Sequence, residues 1–191
     1  MPRSLPSTYS KNRQQRGFTV IELMVVVGIL GILTALAAPS FQPLIERWRV
    51  RSAAETLEHG IYTARSKAFQ LGGDIVIVGS PSTATCTSTG LTDWKCGFIV
   101  FQDRNNNDVQ DACNTTPTGE CTLWEAPFPP SIEFTVADFL RIDRWGAMTG
   151  AGIPLTAEVK AKGKDITDIS SAKVCIPRIG AINRAKGTES C

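Results

Sequence analysis

The apolar positions of this chain follow two different rhythms. From Leu23 to Ala38 only Thr34 interrupts an otherwise apolar run, and between Phe18 and Phe41 only Glu22 can carry a charge. About 20 helical residues at 1.5 Å rise cover roughly 30 Å, the hydrocarbon thickness of a bilayer. The pattern predicts a membrane-spanning helix over residues 18–41, with Gly28 and Gly31 as soft points and a bend at Pro39, where a backbone hydrogen bond is lost.

From Leu44 the pattern becomes amphipathic. Val50, Ala53, Leu57, Ile61, Ala64, Ala68 and Leu71 recur at spacings of three and four, which draws one apolar stripe. Arg47, Arg49, Arg51, Glu55, Glu58, Arg65 and Lys67 take the other faces, and Gly72-Gly73 ends the helix. One long helix, broken or bent near Pro39 and Pro43, is therefore expected from Phe18 to about Leu71. After Gly73 the rhythm shifts to short β-branched and aromatic runs: 74–79, 97–102, 122–125, 131–136, 140–145, 155–160 and 172–177. Clusters of Gly, Pro, Asn and Ser separate them, and 80–93 and 161–171 read as exposed loops. One helix followed by about seven strands predicts an α+β fold, with antiparallel sheet wrapped on the helix.

Charge adds a direction. Arg3, Lys11, Arg13 and Arg16 precede the apolar run, and no acid occurs before Gly17. Basic flanks stay in the cytoplasm, so the rest of the chain is expected outside. A secretory signal would have a shorter apolar core followed by a small-x-small site; the nearest analogue, Ala35-Leu36-Ala37, lies inside the run. Glu22 is the anomaly, since a carboxylate in hydrocarbon costs about 3 kcal/mol on insertion scales. Either it lies at headgroup level or it has a partner.

The string Gly17-Phe18-Thr19-Val20-Ile21-Glu22-Leu23 resembles the class III signal of type IV pilins and type II secretion pseudopilins. The resemblance implies cleavage by a prepilin peptidase after Gly17, N-methylation of Phe18, and pairing of Glu22 with the α-amino group of a neighbouring subunit. Opposite charges buried together cost far less than either alone. The implied organisation is a leader at 1–17, a transmembrane and assembly helix at 18–41, and a periplasmic α+β domain at 42–191. Gly97-Phe98-Ile99-Val100-Phe101, the following Asp103-Arg104-Asn105-Asn106-Asn107 and the helical Arg65-Ser66-Lys67-Ala68 are similar to the GspH/FimT branch of that superfamily. The implied role is a minor pilin that enters or primes a type IV pilus. The alternatives are a minor pseudopilin of type II secretion and a pilus-associated subunit for DNA uptake. The implied partners are other pilins, the peptidase and the bacterial inner membrane, which the chain would cross once before it joins a pilus or pseudopilus.

Composition refines this picture. The formal net charge of +2 depends on the leader: with its four bases removed, 16 bases face 18 acids, so net charge gives no reason to expect a polyanion partner. Six cysteines, all beyond the apolar run, suggest disulfides in an exported domain and allow fifteen pairings. Short loops favour Cys86–Cys96, Cys113–Cys121 and Cys175–Cys191. A zinc site is the rival, weakened by the absence of C-x-x-C and by a single histidine, His59, read as a surface residue.

Three further features invite chemistry. Asp103, Asn105, Asn107 and Asp111 alternate like an incomplete calcium loop, but Asp108 stands where an EF-hand has glycine and Asn114 where it has glutamate; a hairpin turn is the plainer reading. Arg178, Arg184 and Lys186 form a basic C-terminal stretch that could grip DNA phosphates. Some FimT-type pilins use G-R-x-R here, but Ala181 and Asn183 follow Gly180 where the arginines belong, so a solvated edge strand guarded by Lys and Arg is the alternative. Of the tryptophans, Trp48 suits a membrane surface, and Trp94, Trp124 and Trp145 are expected in the core. With one histidine and no phosphate loop or Rossmann glycine motif, neither an enzyme nor a cofactor is expected.

Overall fold

In a computed structural model, the structure describes residues 17–37, 41–82, 85–113, 119–150 and 153–191. The basic stretch before Gly17, the expected bend at Pro39, and Asn114 lie outside these residues. The chain divides into two compact units, Met1–Phe41 and Gln42–Cys191.

The first unit contains α1, Val20–Ala37. Its described side chains, from Phe18 to Leu36, are all exposed. The helix starts at Val20, two residues later than the expected span, whose last residues before Phe41 lie outside the described residues. Eighteen residues rise about 27 Å, just under a bilayer core. Among the described residues no helix is long and apolar enough to cross a membrane.

The second unit is built on α2, Gln42–Leu71. Pro43 sits in its first turn, where the missing N–H would have had no partner anyway. The N–H groups of Gly72 and Gly73 both donate to the Ala68 carbonyl, at 3.0 and 2.9 Å, and close the helix. Val50, Ala53, Ala54, Leu57, Gly60, Ile61, Ala64 and Ala68 form its buried face. The expected stripe is correct except at its end: Leu71 is exposed because the helix stops there.

Among the described residues nine strands follow, all paired antiparallel. One sheet has the order β3-β2-β1-β5-β6: Thr122–Pro127, Gly97–Gln102, Ile75–Gly79, Leu140–Ile142 and Met148–Thr149. The other has the order β4-β7-β8-β9: Ile132–Val136, Leu155–Ala161, Ala172–Ile176 and Asn183–Lys186. The architecture is thus α+β, with a helix packed on antiparallel sheets. Alternate side chains explain the core. Ile75 and Ile77 of β1, Phe98 and Val100 of β2, and Ala157 and Val159 of β7 join the α2 stripe in one buried cluster. Val76, Val78, Ile99 and Phe101 point the other way and form a second, smaller cluster under Leu91 and Phe139. That cover is why β1 is apolar at every position rather than alternately.

Gly60 sets the distance between α2 and the five-stranded sheet. A Cβ there would meet the Trp124 ring and come within 2.5 Å of the Phe98 ring. The strand expected at 140–145 stops at Ile142, because the Asp143 carboxylate accepts from the N–H groups of Trp145 and Ala147, at 2.8 and 2.9 Å, and forms a turn. Trp145 therefore stands outside, 78% exposed, contrary to its expected place in the core. Trp94 is buried, Trp124 is half-buried against Phe98, and His59 is exposed beside the Trp124 ring.

Candidate functional site

Thr19 starts α1. Its hydroxyl accepts from Glu22 N at 3.3 Å and its carbonyl from Leu23 N at 3.1 Å, so the helix begins just after it. Gly17 and Phe18 are left in non-helical chain, with open space around the Gly17 Cα. A peptide bond in such a segment is accessible to a protease without unwinding a helix. Glu22 lies in the first helical turn, where the helix dipole favours a negative charge. Its carboxylate is exposed and makes no hydrogen bond or ion pair among the described residues. Glu22 follows Phe18 by four residues, only the last part of which is helical.

In the second unit three disulfides join Cys86 to Cys96, Cys113 to Cys121 and Cys175 to Cys191. Each ties a loop or terminus to a sheet. Cys96 sits on a single 3-10 turn, Trp94–Cys96, capped by Asp93, whose carboxylate also accepts from Thr89 N at 2.8 Å and pairs with Lys95 at 2.8 Å. Burial opposes the charge on Asp93, but Lys95 and the Thr89 donors outweigh it and hold its pKa at about 2.

The acidic loop after β2 is organised differently from a calcium site. Asp103 is 1% exposed. Its carboxylate accepts from the N–H groups of Asn106, Asn107 and Asp108, at 2.7, 3.2 and 3.0 Å. The Arg141 guanidinium also bonds it and reaches Asp108 and Asn106, so a positive group already occupies the place a cation would take. Burial opposes the charge of Arg141, but Asp108 and Asp103 more than compensate and raise its pKa. Asn105 and Asn107 do not converge on that point: Asn105 bonds Asp111, and the Asn107 side chain accepts from Val109 N. Among the described residues no group of three or more His, Cys, Asp or Glu is placed to hold a metal ion.

The sequence reading missed two members of this arrangement. Glu120, 1% exposed, accepts from Arg104 N at 2.7 Å and Asp111 N at 3.1 Å and so holds the loop from beneath. Arg141 was detectable as a lone cation between two buried apolar residues, Leu140 and Ile142, a position that requires a buried anion nearby.

The basic C-terminal residues do not act as one group. Arg184 is on β9, the edge strand, and turns back to α2, where it meets Glu55 at 2.8 Å and Glu58 at 3.2 Å. The Arg184 hydrogen bond, helped by Arg51, lowers the pKa of Glu55. Arg178 lies beyond the end of β8, where its carbonyl accepts from Met148 N at 2.8 Å. The Lys186 ammonium makes no ion pair among the described residues and faces Arg47 across a shared hollow.

Residues 12–38 match the family model described as the prokaryotic N-terminal methylation motif. A fimbrial protein of Moraxella nonliquefaciens is 50% identical over 115 residues, which cover 51% of this chain and 71% of that protein. A fimbrial protein of Pseudomonas aeruginosa is 41% identical over 69 residues, 36% of this chain and 44% of its own length. Among solved structures, the type IV minor pilin FimU of Pseudomonas aeruginosa aligns at 18% identity with a TM-score of 0.49, over 75% of this chain and 92% of that one.

Proposed function

From the premise that this chain belongs to the type IV pilin and pseudopilin superfamily, we propose that it is a minor pilin of the GspH/FimT type, processed after Gly17 and assembled into a type IV pilus. In this reading residues 1–17 are a leader that holds the N-terminus in the cytoplasm, and the apolar run from Phe18 anchors the chain in the bacterial inner membrane. The peptidase releases Phe18, whose amine is methylated. Glu22 then meets the leading amine of a neighbouring subunit, which neutralises the one acid of the apolar run. The protein works by association, not by turnover.

The observation that carries the proposal is α1 itself. Its described side chains are all exposed, and its one charge has no partner among the described residues. An apolar rod of this kind needs a cover, and in turn a lipid bilayer and a bundle of like helices both supply one. A minor pseudopilin of type II secretion uses the same machinery and is the second reading. DNA uptake is not part of the proposal, because Arg184 is engaged by Glu55 and Glu58.

N-terminal peptide mass spectrometry of the membrane fraction tests the processing step. The expected peptide begins with N-methylated Phe18, and residues 1–17 still attached in cells that contain the peptidase would overturn the reading. Glu22→Ala is expected to be cleaved normally but to be missing from sheared filaments. Loss of twitching, with secretion intact, in a deletion strain would separate the pilus from the secretion system.

A further inference from the structure

The first two turns of α2, residues 42–49, contain none of its buried residues, yet they carry exposed Leu44, Ile45 and Trp48. Trp48 is 68% exposed. Around these turns bases outnumber acids, although Glu46 shares a hollow with Arg49 and Lys162. Residues 42–191 hold 16 bases and 17 acids, a near balance. Even so, Arg47, Arg49, Lys162 and Lys186 form no ion pair among the described residues, while Lys160, Lys164, Lys173 and Arg184 all do.

Arg47 and Lys186 line one hollow of about 440 Å3, together with Thr167, Thr188, Asp168 and Ile169. Two cations and the Thr188 hydroxyl suit a phosphate, whereas the Thr167 hydroxyl already donates to Asp165 at 3.0 Å. Asp168 opposes an anion, but its charge is already met by Lys164 at 3.7 Å and by the Ser170 hydroxyl at 2.6 Å. Ile169 stands at the hollow with 75% exposure, an apolar side chain with no cover in the domain. Glu46 is the only acid on the first two turns.

We propose that this face is a phospholipid-headgroup surface: Arg47 and Lys186 hold the phosphate of an anionic lipid while Trp48 and Ile169 enter the upper acyl layer. The proposal rests on the reading that α1 is membrane-anchored. Only Ala38-Pro39-Ser40-Phe41 separate Ala37 from Gln42, a tether of roughly 18 Å at full extension. Surface attraction decays over about 8 Å at physiological ionic strength, and a tether this short lets the bases beside the first turns of α2 come within that range. Tryptophan beside arginine is the pairing that favours the lipid–water boundary, an apolar body with a polar edge next to a cation for phosphate. Before assembly, the surface would keep the domain seated on the membrane.

The test uses the full chain reconstituted into vesicles of phosphatidylglycerol or of phosphatidylcholine, each brominated in the upper acyl chain, with tryptophan fluorescence as the readout. Phosphatidylglycerol is expected to quench a component of the emission that Trp48→Phe removes. The paired variant Arg47→Ala/Lys186→Ala is expected to reduce that quenching to the phosphatidylcholine level. Unchanged thermal unfolding of both variants confirms that the fold is intact. If the chain floats with the vesicles but Trp48 is not quenched, or is quenched equally by both lipids, the headgroup surface is overturned and the α1 anchor stands; a protein would then be the cover for Trp48. If the chain does not float at all, both readings fall.

Discussion

The Arg141 guanidinium on β5 bonds the buried Asp103 carboxylate just past β2 at 2.5 Å, across 38 residues of sequence. The pair joins two neighbours of β1, since β2 and β5 flank it on either side. Removing the cation would leave a buried carboxylate with only backbone donors. Arg141→Ala is therefore expected to cost about 3 kcal/mol, measured by denaturant unfolding with the disulfides intact. A loss under about 1 kcal/mol would mean that the backbone donors suffice.

Asp93 gives the acid side of the stability curve a definite sign. Its folded pKa, about 2, lies below the ordinary aspartate value. Its contribution is therefore complete above about pH 4 and is lost as pH falls through 2. Discounted for solvent, it is on the order of 1 kcal/mol. Asp93→Asn is expected to lower the melting temperature at pH 6 and to narrow its gap to the native protein by pH 2, which thermal unfolding at stepped pH will show.

Gly60→Ala sets two effects against each other. Alanine in a helix interior gains about 1 kcal/mol over glycine. The new methyl group would press on the Phe98 and Trp124 rings, and overpacking a close-packed core costs typically 1–3 kcal/mol. The clash is expected to win, with a net loss of about 1–2 kcal/mol and a change in the tryptophan near-UV signal.

Arg184 on β9 ties the sheet edge to Glu55 and Glu58 of α2. The pairs are solvent-exposed, so Arg184→Ala is expected to cost only about 0.5–1 kcal/mol, and less at high salt. The same variant is expected to leave any weak DNA retention on a gel at low salt unchanged. A large fall in retention would return Arg184 to a nucleic-acid role.

Sequence patterns revealed what local physics decides. Val50 through Ala68 are legible because a helix buries every third or fourth residue. The apolar runs of β1 and β2 are legible because both of their faces are covered. Asn183–Lys186 has no apolar alternation to reveal it, because it is an edge strand paired on one side alone. Met148–Thr149 is too short for any periodicity to appear. Arg141 and Asp103 are far apart in the chain, and nothing local to Glu120 marks the backbone groups of Arg104 and Asp111 that it holds. Trp145 was misplaced because an aromatic residue beside apolar neighbours reads as core, whereas Asp143 turns the chain outward.

Two buried carboxylates, Asp103 and Glu120, hold the loop after β2 by five main-chain N–H groups. Main-chain donors are the same whatever side chain a residue bears. Apart from Asn106 and Asp108, which take left-handed backbone, the contour of this loop is insulated from mutation at its outward positions, such as Val109. Side chains at those positions can be exchanged without remodelling the pedestal of main chain beneath them.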